Sequence, residues 1–192
     1  REDPVHKDVY RYNDGLKDFV KYLNGSKDVI HKPIAIDQKG DDEVEVAMQK
    51  ADWDAMRVQE RNLYAVFGSL TCGDEPFPDP YTFFHADVVV EGQPLSDVGI
   101  RKKGFFGSLS QTKPSLKLDF GEFVSGQRLE GLDRMTLNNA LQDPAYVKQC
   151  LGYEILASAG IPAPRCNFAR VTVHTLDGAT QATPIDGQLY VN

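Results

Sequence analysis

The chain has 192 residues, 41% of them hydrophobic and 26% charged, and 28 acidic against 21 basic side chains give a formal net charge of −7. That length holds one ordinary domain, or one domain with a small appendage, and an acidic pI near 5.1 argues against a general nucleic-acid binder, which is normally basic. No apolar run approaches the roughly 18 residues of a membrane span, and three cysteines without CxxC spacing argue against a disulfide framework or a four-thiolate zinc site.

The chain opens on Arg1 and shows no charged-then-apolar leader, which predicts a fragment or a processed product and leaves localisation unread from this end. In "GLKDFVKYLN", Leu16, Phe19, Val20 and Leu23 recur at helical spacing, with Asp14 as N-cap and Asn24-Gly25 as the stop. A short strand "KPIAI" and an alternating strand "EVEVAM" follow, the second with Val44, Val46 and Met48 on one face. Residues 51–64 predict a helix anchored by Trp53, Met56 and Leu63, and the prolines from Pro76 to Pro80 then break the pattern.

Strand texture takes over from there. "FFHADVVVEG" turns at Gly92-Gln93 into "VGIRKKG", a glycine-bearing loop leads to "SLKLDF", and "RMTLNNA" follows. The next helix is expected to have Asp143 as N-cap, Pro144 at its first position, and Val147, Leu151 and Ile155 along one stripe. Cys150 on that helix reads as a buried thiol. Gly160 and Pro162 stop it, "CNFARVTVHTL" is another strand, and "GQLYVN" starts one more. The order predicts an α+β fold: an antiparallel sheet with one main packed helix, preceded by a small α/β segment.

Chemistry concentrates in "GIRKKGFFGSLSQTKPSLK", residues 99–117. Gly99 and Gly104 have P-loop spacing, but Phe105 stands where the phosphate lysine would be, so that motif fails. Strand alternation places Arg101 and Lys103 on one face, with Lys102 on the other beside Val98 and Ile100. If the two strands pair, Lys117 joins Arg101 and Lys103. One fork-shaped guanidinium and two ammonium groups suit a phosphate chain, and a solvated strand face is the plainer alternative. Ser110, Thr112 and Ser115 offer hydroxyls, as residues of many hairpin loops do. Asn138, Asn139 and Asp143 form a second polar group, either capping a helix or fixing a ligand or metal-bound water. The four histidines are scattered, and His85 reads as packing or solvent-facing.

From about residue 52 to 192 the chain resembles the CotH kinase family, atypical protein kinases named for a spore-coat protein. The resemblance rests on "DWDAM", "YTFFHADVVVEG", "VGIRKKGFFGSLSQTKPSLKLDF", "LDRMTLNNALQDPAYVKQCLGYEILASAGIPAP" and "CNFARVTV". It implies ATP- and Mg-dependent phosphoryl transfer to the hydroxyls of a protein substrate. Arg101, Lys103 and Gly104 match the family's R-x-K-G segment, Lys113 and Lys117 its next strand, and Asn138, Asn139 and Asp143 its "LNNALQDP" turn. The basic residues are expected near nucleotide phosphates, with the asparagines and Asp143 as secondary polar contacts. "DGQLYVN" resembles the family's G-x-Y strand, and the metal-binding and catalytic acids are expected after it, so no metal ligand is assigned within this chain.

Residues 8–49, including "YNDGLKDFVKYLNGSKDVIHKPIAI" and "DDEVEVAMQ", resemble instead the B subunit of DNA gyrase where its ATPase domain meets the transducer. The expected organisation is a gyrase-B-like piece over 1–50 and a partial CotH-like domain over 51–192, joined as a fusion. "QTK" at 111–113 matches a gyrase ATP loop by coincidence, because its surroundings are CotH-like. Three functions remain open: a truncated CotH-like kinase limited to nucleotide binding, an ATP-hydrolysing topoisomerase fragment with DNA as partner, and a non-enzymatic coat or binding module.

Overall fold

The computed structural model describes residues 42–61, 79–105, 107–177 and 180–192. The expected helix at 15–24, the strand "KPIAI", Leu63, Cys72 and the prolines Pro76 and Pro78 lie outside them. Residues Asp42–Asn192 form one compact unit.

Strand β1 (Asp42–Gln49) alternates as expected: Val44, Val46 and Met48 are buried, and Glu43 and Glu45 are not. It runs directly into helix α1 (Lys50–Arg57), which drives Trp53 and Met56 into the core. Strand β2 (Phe84–Val90) turns through Glu91-Gly92 into β3 (Gln93–Lys103), followed by β4 (Ser115–Asp119) and β5 (Arg134–Leu137). Helix α2 (Lys148–Ser158) leads to β6 (Phe168–Asp177) and β7 (Thr180–Val191). The seven strands lie in the order β5-β4-β3-β2-β1-β6-β7.

The expected all-antiparallel sheet is corrected to a mixed one. β1 pairs antiparallel with β2, Val46 opposite Val88, but parallel with β6, Val46 opposite Val173. Alternating valines specify a half-buried strand but not its partner or direction. The strand grouped by sequence with the gyrase-like piece therefore has neighbours on both edges in this sheet. The sheet also curls: the Asn138 N–H donates to the Val191 carbonyl at 2.7 Å, and the Val191 N–H to the Asn138 carbonyl at 3.0 Å. That bridge joins the end of β5 to the end of β7 and half-closes a barrel.

The single main packed helix is corrected as well. The short α1 is the helix that packs into the core, while α2 buries only Cys150 and leaves Ile155 59% exposed. Helix α2 also starts later than its proline suggests. Tyr146, at φ +59°, donates its N–H to the Asp143 carbonyl in a turn, so the helix begins at Lys148. Asp143 still caps it from a distance, its Oδ2 accepting the Lys148 N–H at 2.6 Å.

Two further features were not expected. Cys150 and Cys166 form a disulfide with Cα atoms 5.3 Å apart, because the first turn of α2 lies beside the segment entering β6. Lys102 is fully buried under α1, its Nζ donating to the Arg57 carbonyl at 2.7 Å. There it closes the negative end of the helix, and burial holds its pKa below the usual lysine range, with Glu60 opposing. No helix among the described residues is long and apolar enough to cross a membrane.

Candidate functional site

Where the ends of β3, β5 and β7 converge, the half-closed barrel opens into a cleft of about 780 Å³. Its walls come from the end of β3, the loop after it, the 138–143 turn, the first turn of α2, and Arg61, Asp79 and Tyr81. Pairing of β3 with β4 sets Arg101 opposite Lys117 and Lys103 opposite Ser115. Since residues two apart share a face, Arg101, Lys103 and Lys117 share one face, as alternation predicts.

Arg101 donates from Nη1 to Asp79 Oδ2 at 3.2 Å, and its guanidinium lies 5.3 Å from the Phe83 ring centroid. Its Nε is buried and has no hydrogen-bond partner. Lys103 Nζ donates to Asn138 Oδ1 at 2.6 Å, and Asn138 Nδ2 in turn to the Val191 carbonyl at 3.3 Å. Burial lowers the Lys103 pKa, and the like charges of Lys117 and then Arg101 lower it further. Asp143 is the complementary case, since its Oδ1 is buried without a partner. Native proteins rarely leave buried donors and acceptors unmatched, and this cleft is lined by a residue of each kind.

The candidate residues divide accordingly. Arg101, Lys103, Gly104, Asn138, Asn139 and Asp143 line the cleft, whereas Lys113 and Lys117 do not. Lys117 bears on the cleft through its charge next to Lys103. Lys113 is turned aside: its Nζ donates to Tyr146 Oη at 3.0 Å and lies 5.1 and 5.0 Å from the Tyr146 and Tyr190 ring centroids. Asn139 is 2% exposed and fully engaged. Its Nδ2 donates to the Ser108 and Lys113 carbonyls at 2.9 and 2.8 Å, and its backbone N–H to Ser115 Oγ at 3.0 Å. It clamps the loop after β3 to the 138–141 turn.

Arg61, Asp79, Tyr81, Lys148 and Gln149 also line the cleft, and sequence reasoning missed them. Asp79 accepts from Arg61 at 3.4 Å as well as from Arg101, and Tyr81 Oη donates to the Gly104 carbonyl at 2.9 Å. Their only local signal is polar residues flanking a proline-rich break.

Gly107 lets the loop after β3 approach Gln142, which lines the cleft. It adopts φ +72°, and a Cβ there would lie 1.9 Å from Gln142 Nε2. Gly107→Ala is expected to cost about 1–3 kcal/mol of stability from backbone strain, read as a lower urea midpoint at unchanged slope.

Comparison with known proteins finds two similarities. Residues 100–180 match the family model described as CotH kinase protein. The eight candidate site residues and both bonded cysteines fall within that stretch. A separate similarity reaches the B subunit of DNA gyrase, 47% identical over 51 residues in the Staphylococcus epidermidis protein and 48% over 50 residues in the Staphylococcus aureus protein. These stretches are 26% and 25% of this chain, and the chain spans only 8% of the length of either relative. Among the described residues, none of the cleft lining precedes Arg61.

Proposed function

We propose that the cleft binds the phosphate groups of a nucleotide, as the nucleotide-side half of a CotH-like protein kinase site. The observation that carries this reading is the orphaned pair: Arg101 Nε without an acceptor and Asp143 Oδ1 without a donor, both in residues lining one cleft. A phosphate chain accompanied by a cation satisfies both, and the family match over 100–180 supports the same chemistry. Arg101 and Lys103 would neutralise phosphate oxygens, with Lys117 and Arg61 reinforcing the field.

The residues also fit magnesium. Mg²⁺ is usually held by one or two carboxylates together with substrate phosphates and water, and Asp143 provides a carboxylate oxygen that has no hydrogen-bond partner. Among the described residues no group of three or more His, Cys, Asp and Glu is placed to hold a metal by itself, so a cation would enter with its nucleotide. When bound, it would supply charge neutralisation across the phosphates. The topoisomerase reading has no comparable observation among the described residues, and the CotH-like reading is the one carried forward.

Calorimetric titration of MgATP into the chain tests the proposal. Saturable heat that weakens at least tenfold in Arg101→Ala is expected, the scale of losing a hydrogen bond to a charged group. Absence of heat at roughly millimolar nucleotide, an affinity worth only about 4 kcal/mol, would overturn it.

A further inference from the structure

We infer that the Cys150–Cys166 disulfide holds the α2 wall of the cleft in place, making anion binding there dependent on redox state. The inference rests on the phosphate reading of the cleft, and its test separates the two.

Helix α2 brings Lys148 and Gln149 to the cleft, yet among the described residues little else retains it. At 11 residues it is shorter than helices that hold together alone in water. Cys150 is its one buried residue, and Ile155 and Leu156 are 59% and 39% exposed, so apolar burial contributes little. Two hydrogen bonds, Lys148 N–H to Asp143 Oδ2 and Lys148 Nζ to the Gln142 carbonyl at 3.3 Å, reach only the adjacent turn.

The other end of the disulfide is firmly founded. Cys166 precedes Asn167, which exchanges backbone hydrogen bonds with Asn192 at 3.0 and 2.9 Å. Asn167 Nδ2 also donates to Asp42 Oδ1 at 3.1 Å. The covalent link thus joins a weakly anchored helix to the end of the sheet, next to the two side chains that line the cleft.

The two sulfurs differ in access. Cys150 is 1% exposed, while Cys166 is partly exposed. A dithiol reductant therefore attacks Cys166 Sγ as thiolate, the Cys150–Cys166 bond breaks, and Cys150 leaves as a thiolate that takes up a proton. The second thiol of the reductant then attacks the mixed disulfide, closes the reductant's own disulfide and releases Cys166 as a thiol. Two electrons and two protons pass to the protein. The first turn of α2 loosens, and Lys148 withdraws from the cleft. Oxidising compartments preserve such bonds and reducing ones remove them.

The test uses the full chain carrying Cys72→Ser, which leaves only this pair to bond, with inorganic pyrophosphate as probe. Hydrogen exchange across residues 148–158 and pyrophosphate titration are compared in the oxidised protein, after dithiothreitol, and after re-oxidation; Cys166→Ser repeats the reduced state without reductant. Reduction is expected to remove protection across α2 and weaken pyrophosphate roughly fivefold, the size of a favourable exposed charge contact. Re-oxidation should restore both. Protection unchanged on reduction would overturn the tether, and lost protection with unchanged affinity would overturn its coupling to the cleft. An oxidised, protected chain that binds no pyrophosphate would refute the phosphate reading and the redox dependence, leaving the exchange data to decide the tether.

Discussion

Lys103→Met lowers the affinity of the cleft for pyrophosphate at least tenfold and removes a proton uptake that accompanies binding at alkaline pH. The affinity loss follows from deleting a charge-assisted contact in a partly desolvated cleft, worth about 1.5–3 kcal/mol. The proton uptake follows from the crowding. Burial, then Lys117, then Arg101 hold the Lys103 pKa below its ordinary value of 10.5. Raising the pH therefore strips this ammonium before an ordinary one, and an arriving polyanion reverses the shift and recaptures the proton. Titration in two buffers of different ionisation enthalpy measures that proton directly. The same shift acts on folding: between the lowered folded pKa and 10.5 the unfolded chain binds more protons, so stability contributed by this group rises with pH across that window. Lys103→Met should lose that increment. Equal proton uptake in parent and variant would assign it to another group.

Asn139→Ala is expected to lower stability by about 2–3 kcal/mol, through two donated hydrogen bonds of roughly 1 kcal/mol each and a small cavity. For a chain of this size that is a fall of roughly 4–12 °C in Tm. The Ser108 and Lys113 carbonyls, now held at 2.9 and 2.8 Å, would be left without the amide. Asn139→Asp should be worse, because it turns an acceptor toward both. Nucleotide affinity should fall in step with loosening of the loop after β3, visible as faster exchange of its amides. A variant with intact stability and reduced affinity would instead make Asn139 a direct ligand.

Periodicity made much of this legible. The faces of β1, β3 and β4 follow from alternation, so the shared face of Arg101, Lys103 and Lys117 was readable once β3 and β4 were assumed to pair. What alternation lacks is partnership. Nothing local tells Val46 that one neighbour is antiparallel Val88 and the other parallel Val173. Lys113 shows the same limit: its local motif placed it with the phosphate lysines, and Tyr146 and Tyr190, far along the chain, decide where its ammonium goes. The proline at 144 suggested a helix start, but the turn at Tyr146 delays the helix to Lys148. An odd cysteine count concealed a pair 16 residues apart.

The parallel neighbour of β1 has a consequence for synthesis. At about 5–20 residues per second, β2 is available to β1 within seconds. Its other partner is far off: Asp42, at the start of β1, meets Asn167, 125 residues later, an interval of about 6 to 25 s at that rate. Through that interval β1 has one edge paired and the other bare, the condition in which nascent strands recruit one another. The glutamates at 43 and 45, set between its valines, place charge along the strand while it waits, as gatekeepers against aggregation during translation.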